Sequence, residues 1–187
     1  MVPLLTVGHG ALERAGLSSL LTGRRVGTVV DIRRFPGSRR NPDVARDALS
    51  EWLPDAGVAY RWEPRLGGRR HLRKSEDAAS PDTWWQVDAF RAYAGYTRTE
   101  EFTAALAEVA EEARGDARVA VMCSEAVWWR CHRRLVADVA TLLLDLPVHH
   151  LMHDGEVRLH EPSPGARVGD GVVVWDADAG VSGQRRS

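Results

Sequence analysis

The sequence predicts an α/β fold: a mostly parallel sheet of roughly five strands with helices on both faces, a Rossmann-like three-layer sandwich. Three observations predict it. Short apolar runs alternate with stretches of helical spacing, as expected when parallel strands are joined by crossover helices. The runs are apolar at nearly every position, so each is expected to be covered on both faces. Clusters of Gly, Pro and Asn fall between them, where turns are needed.

Residues 4–7 form the first apolar run and end at Gly8-His9-Gly10, a strand closed by a turn. Residues 12–21 have helical spacing and stop at Gly23, a plausible C-terminal cap. Residues 26–32 are a second, β-branched run. Phe35-Pro36-Gly37-Ser38 then breaks the chain, and Asn41-Pro42-Asp43 opens a helix expected to reach Leu53. A third strand is read at 58–62. Residues 63–82 have no period and are rich in Gly, Arg and Ser, which marks a functional or mobile loop. Helices are expected over 84–93, from Thr99 to Arg114, and from Trp129 to Leu144. Strands are expected at 118–123 and 147–152. Residues 155–160 and 171–175 suit a small terminal hairpin or edge pair. One domain is expected over 1–176, with 177–187 a tail.

The chain has 187 residues, 44% hydrophobic and 27% charged, an ordinary globular composition. No apolar stretch is long enough to span a bilayer, and the start lacks the features of a secretory signal. Two cysteines cannot make a disulfide framework, so a cytoplasmic location with free thiols is expected. The net charge of −1 gives no global pull toward nucleic acid. Arginines nonetheless crowd residues 33–74, whereas acids gather at 100–116. Such segregation suits a phosphate-bearing partner, a nucleotide or nucleic acid; the plainer alternative is an arginine-rich solvated surface.

Ligands of an open α/β sheet bind beyond the C-terminal ends of its strands. Gly8, His9, Asp31, Arg33, Glu63, Cys123 to Glu125 and His153 are therefore expected on one rim. The segment from Cys123 to Arg134 is the densest in chemistry. A thiol at a strand end, with a helix and arginines nearby, is open to activation. Its layout resembles the anion-binding cysteine loops of rhodaneses and cysteine phosphatases, although Arg130 lies seven positions after Cys123, one more than those loops use. Cys131 falls on a helical stripe with Leu135, Val139 and Leu142 and reads as core, leaving His132 free to face the rim. With no CxxC or HExxH spacing and no fourth ligand, neither a metal nor another cofactor is expected. Glu125 and Asp31 are candidates for a general acid/base pair; the rival role for each is an arginine partner. Arg33, Arg39, Arg40, Arg69, Arg70, Arg130 and Arg133 are candidate phosphate ligands. Trp129, beside Trp84, Trp85 and Trp128, is a candidate stacking surface.

The motifs TVGHG, VVDIRRFPGSRRNP, LGGRR, FRAYAGYTRTEEF and MCSEAVWWRCHRRLVAD resemble, in order, the family catalogued as domain of unknown function 488. The likeness runs from Thr6 to Arg167, and its closing segment brings Asp154 and His160 into view. The resemblance implies an α/β fold and a site built from His9, Asp31, Arg33, Arg39, Cys123, Glu125, Cys131, His132 and Arg133. It supplies no reaction, and only a loose link of some members to DNA repair. Three functions follow as expectations: an enzyme, hydrolase or glycosylase-like, acting on a nucleotide or a modified or damaged base; a rhodanese-like thiol enzyme centred on Cys123; or a binding module without chemistry.

Overall fold

A computed structural model describes residues 2–176, so the expected tail at 177–187 lies outside the described residues. Strands β1 (Leu4–Gly8), β2 (Val26–Asp31), β3 (Ala59–Trp62), β4 (Arg118–Cys123) and β5 (Val148–Leu151) are parallel. A sixth, β6 (Val157–Leu159), pairs antiparallel with β5 and completes the order β3-β2-β4-β1-β5-β6. Central β1 and β4 are flanked on both sides, which is why their residues are almost wholly apolar.

Strand alternation divides the core in two. Leu5, Val7, Val29, Ala120 and Met122 face helices α1 (Arg14–Gly23) and α2 (Arg46–Asp55), where Leu17, Leu21, Leu49 and Leu53 are fully buried. Leu4, Val30, Ile32, Val119, Val121 and Cys123 face the opposite layer. That layer holds α4 (Asp88–Tyr96), α5 (Glu100–Arg114) and α6 (Arg133–Leu144). Thr99 caps α5, its hydroxyl accepting from Phe102 N at 3.3 Å. Phe102, Leu106 and Val109 then bury one stripe of that helix, each contributing about 1.5–3 kcal/mol.

Three expectations are corrected. The segment 63–82 is not featureless: it holds a 3₁₀ turn at Pro64–Leu66 and a short helix, α3 (Lys74–Ala78). The helix expected from Trp129 starts only at Arg133, because a 3₁₀ turn at Trp128–Arg130 is followed by Cys131 in extended conformation. The two C-terminal segments do not pair with each other. β6 joins the main sheet, while β7 (Ala166–Gly169) folds on β8 (Val172–Trp175) as a separate hairpin. Asp170 and Gly171, with φ of 51° and 77°, form the tight turn that an Asp-Gly pair encodes.

Candidate functional site

The order β2-β4-β1 brings three strand ends side by side. Gly8 is in register with Cys123, and Asp31 with Met122. The ladder continues past the strands through His9 N to Cys123 O at 3.0 Å and Gly10 N to Ser124 O at 2.9 Å. The chain leaving β4 then crosses over the end of β1 so closely that a Cβ on Gly8 would lie 1.8 Å from Glu125 O. Arg133 donates to the same Glu125 carbonyl, and His153 Nε2 donates to Gly8 O at 2.6 Å. Only glycine fits there.

Asp31, expected as an acid/base group, is fully buried and outside the cleft lining. Alternation sends it with Val29 toward α1 and α2, away from Cys123. Its Oδ1 accepts from Arg33 Nε at 2.8 Å, and its Oδ2 from Arg33 Nη2 at 2.5 Å and Tyr60 Oη at 2.8 Å. Burial opposes the charge of Arg33, but the hydrogen bonds and charge of Asp31 outweigh it and raise the guanidinium's pKa. Asp31 is thus an anchor for Arg33. The rest of the guanidinium reaches the rim, where Nη1 lies 3.2 Å from His9 Nε2. His9 Nδ1 lies 3.0 Å from Gly10 O, which assigns the proton to Nδ1 and makes Nε2 an acceptor. Burial, then the charge of Arg33, lower His9 to about 4, so it is a neutral spacer at neutral pH.

Beyond these ends lies a cleft of about 410 Å³. Arg33, Arg34, Arg69 and Arg130 line its walls together with the aromatic residues Phe35, Phe90 and Tyr93. Phe35 is 65% exposed, and Arg69 holds a left-handed φ of 60° while its carbonyl accepts from Arg34 Nη1 at 3.2 Å. Glu125 is an exposed lining residue; buried Cys123 and Cys131, with His132, form the floor. His132 Nδ1 stands 3.8 Å from Cys123 Sγ and 3.6 Å from Cys131 Sγ. Arg133 Nε donates to Cys131 Sγ at 3.5 Å. Burial opposes ionisation of Cys131, but the Cys123 hydrogen bond and the Arg133 charge prevail and lower its pKa. The hydrogen bond to Cys131, with burial, pushes Cys123 up.

Glu125, Cys123, His132, His9, Arg33, Arg69 and Arg130 therefore share one cleft, whereas Glu63 and His153 lie outside its lining. The other candidates do not line it. Arg133 is buried and spent on Glu125 O and Cys131. Arg39 and Arg40 are exposed elsewhere. Arg70 borders a neighbouring hollow, its guanidinium 3.5 Å from the centre of the Tyr96 ring. Trp129 is 42% exposed outside the cleft. Trp84 and Trp85 pack against each other and beneath Arg134, and Trp128 stacks on His150 at 3.9 Å. His160 belongs to a separate buried chain. Thr6 Oγ1 meets His150 Nδ1 at 2.7 Å, His150 Nε2 meets His160 Nδ1 at 2.9 Å, and His160 Nε2 meets Asp138 at 2.9 Å. Asp154 accepts from Glu156 N at 2.9 Å in an exposed turn.

Sequence reasoning assigned Cys131 to the core and missed Arg34, Phe35, Phe90 and Tyr93. The break at Phe35-Pro36-Gly37-Ser38, directly after a strand, was the available signal for the first two.

Fold and site together define a three-layer α/β protein whose central strand ends carry a thiol–imidazole floor beneath guanidinium and aromatic walls. A family model, described as domain of unknown function DUF488, matches residues 14–140, and the chain belongs to that family. No curated protein and no solved structure shows a significant match.

Proposed function

We propose that this protein is an enzyme acting on a nucleotide, or on a modified or damaged nucleic-acid base turned out of its strand. The observation that carries the reading is the joint lining of the cleft by four arginines and three aromatic residues above a thiol–imidazole floor. Guanidinium groups take phosphate oxygens in charge-assisted pairs. Exposed Phe35 and half-buried Phe90 offer flat apolar area to a base, and a base must leave its stack to reach a cleft of this kind. Glu125, solvent-exposed and lining the cleft, is the acid/base group of a hydrolase or glycosylase-like reaction. Two free cysteines on the floor fit a reducing cytoplasm. No helix among the described residues is long and apolar enough to cross a membrane.

The rhodanese-like alternative needs an accessible Cys123 thiolate. Burial of this thiol beside Cys131, which raises its pKa, speaks for the first reading over that one.

The test is equilibrium binding of nucleoside monophosphates and short single strands, at two salt concentrations, to the wild type and to Arg69→Ala and Arg130→Ala. Each substitution is expected to weaken phosphate-bearing ligands about tenfold, the scale of one charge-assisted hydrogen bond, and wild-type binding to single strands should fall steeply with salt. Equal affinity for nucleosides that lack phosphate, or no binding by any of the panel, would sink the reading.

A further inference from the structure

We propose that Cys123, Cys131 and His132 bind one zinc ion at the floor of the cleft, with a coordination position open to the incoming ligand. The two Sγ atoms and the ring nitrogen all lie within 4.8 Å of one another. Their sulfur-to-nitrogen separations are 3.8 and 3.6 Å. A tetrahedral zinc with Zn–S of about 2.3 Å and Zn–N of about 2.0 Å holds sulfur and nitrogen about 3.6 Å apart. Both sulfur-to-nitrogen separations therefore match a tetrahedral zinc site to within a few tenths of an ångström.

One ring nitrogen carries either a single proton or a single lone pair, so by itself it serves one thiol and not two; without a metal, the other thiol is served by the Cys123–Cys131 hydrogen bond. A cation at the centre satisfies all three atoms. The backbone accounts for two adjacent ligands meeting at one point: Cys131 is extended, with φ −129° and ψ 151°, whereas His132 turns into α6 with φ −58° and ψ −15°. Cys123 arrives independently as the last residue of β4.

The surroundings also suit a metal. Arg133 Nε donates to Cys131 Sγ at 3.5 Å, the kind of outer contact that fixes a thiolate ligand. A Cβ on Gly68 would lie 2.8 Å from His132 Nδ1, so glycine keeps space at the ligating nitrogen. With Nδ1 on the metal, the ring proton moves to Nε2, which has no partner among the described residues; that penalty is small beside a metal–ligand bond. Zinc bound by two thiolates is neutral overall, so the arginines around the cleft do not repel the filled site.

Thiolate and imidazole donors select zinc over the hard cations. Three protein ligands with a fourth position free is the arrangement of reactive rather than purely structural zinc. The expectation of no metal rested on missing short motifs and on the want of a fourth ligand, and an open site needs neither. Water held at the free position becomes a stronger acid, in the same cleft as Glu125.

The experiment uses the full chain, produced with added zinc and passed over a chelating resin. Elemental analysis is expected to find about one zinc per chain. Cobalt(II) added to the metal-stripped protein is expected to give thiolate charge-transfer bands and the visible bands of a tetrahedral site. Cys123→Ser, Cys131→Ser and His132→Ala should each weaken zinc retention by about a hundredfold or more, a loss above the usual range for outer contacts. If these variants fail to fold, the wild-type cobalt spectrum decides alone. Zinc far below one per chain, a cobalt spectrum without thiolate bands, or an air-stable Cys123–Cys131 disulfide lighter by two hydrogens would overturn the proposal. Metal content is read without any nucleotide, so its failure is distinct from failure of the binding reading.

Discussion

At Asp31 both carboxylate oxygens are already engaged, by Arg33 and by Tyr60, and the side chain has no exposure. At Glu125 the side chain is exposed and lines the cleft. Asp31→Asn is thus expected to destabilise the fold by about 3–5 kcal/mol, because it leaves the Arg33 charge buried without its partner. Urea unfolding measures this, and a loss below about 1 kcal/mol would place Asp31 outside the framework. Glu125→Gln should change stability by no more than about 0.5 kcal/mol while abolishing turnover and sparing ligand binding; lost binding would mark Glu125 as a structural group. Both acids are legible in sequence as carboxylates at strand ends. What separates them is the partner of each, and Tyr60 reaches Asp31 only because β3 pairs beside β2. Cys131 shows the same limit. The stripe spacing leads to the right burial by the wrong route: Cys131 is buried from an extended residue ahead of α6, and that same extended backbone is what brings it close to His132 Nδ1.

Among elements, the exit of β4 and the end of β1 are the pair that positions the cysteines. Their close approach depends on Gly8 having no side chain. Gly8→Ala is expected to push the Cys123–Glu125 turn outward and lower stability by about 1–3 kcal/mol, as overpacked sites do. Unfolding midpoints together with the alkylation rate of Cys123 would detect both effects; an unchanged midpoint with an unchanged rate would contradict the packing. The parallel strands and long helices were readable because uninterrupted apolar runs and 3.6-residue spacing have few other solutions. The short elements were not. α3 lies in a polar stretch and buries no residue, so no periodicity announces it. β7 is half exposed, and the Asp170-Gly171 turn that pairs it with β8 is a two-residue signal.

Across the whole molecule, the chain Thr6–His150–His160–Asp138 ties β1 and β5 to α6, and it carries a pH dependence. Burial, then neighbouring His160, lowers His150 from 6.5 to about 2. The unfolded chain therefore takes up a proton below pH 6.5 that the folded chain refuses until about pH 2. This contribution to stability is complete above pH 6.5 and declines as acid is added through that window. Its ceiling is about 1.4 kcal/mol per pH unit. Urea unfolding at pH 7, 6 and 5 should show the decline, and His150→Gln should make it shallower while His9, also lowered, keeps its own share; equal slopes in both proteins would assign the effect elsewhere. The overall order of strands and helices was legible in the sequence, whereas this network was not, since its members lie 144, 10 and 22 residues apart along the chain. Trp175 closes the same assembly. It is fully buried, its indole N–H donates to Asp138 at 2.8 Å, and its carbonyl accepts from Trp84 N at 3.1 Å. The family model spans residues 14–140 and so omits β1, β5 and Trp175. A recombinant fragment trimmed to that span would lose a strand from mid-sheet and the wedge holding its far layer. It should emerge from the ribosome as an insoluble or protease-sensitive chain, and domain-boundary surveys that cut by family match alone would discard the very pieces that let it fold.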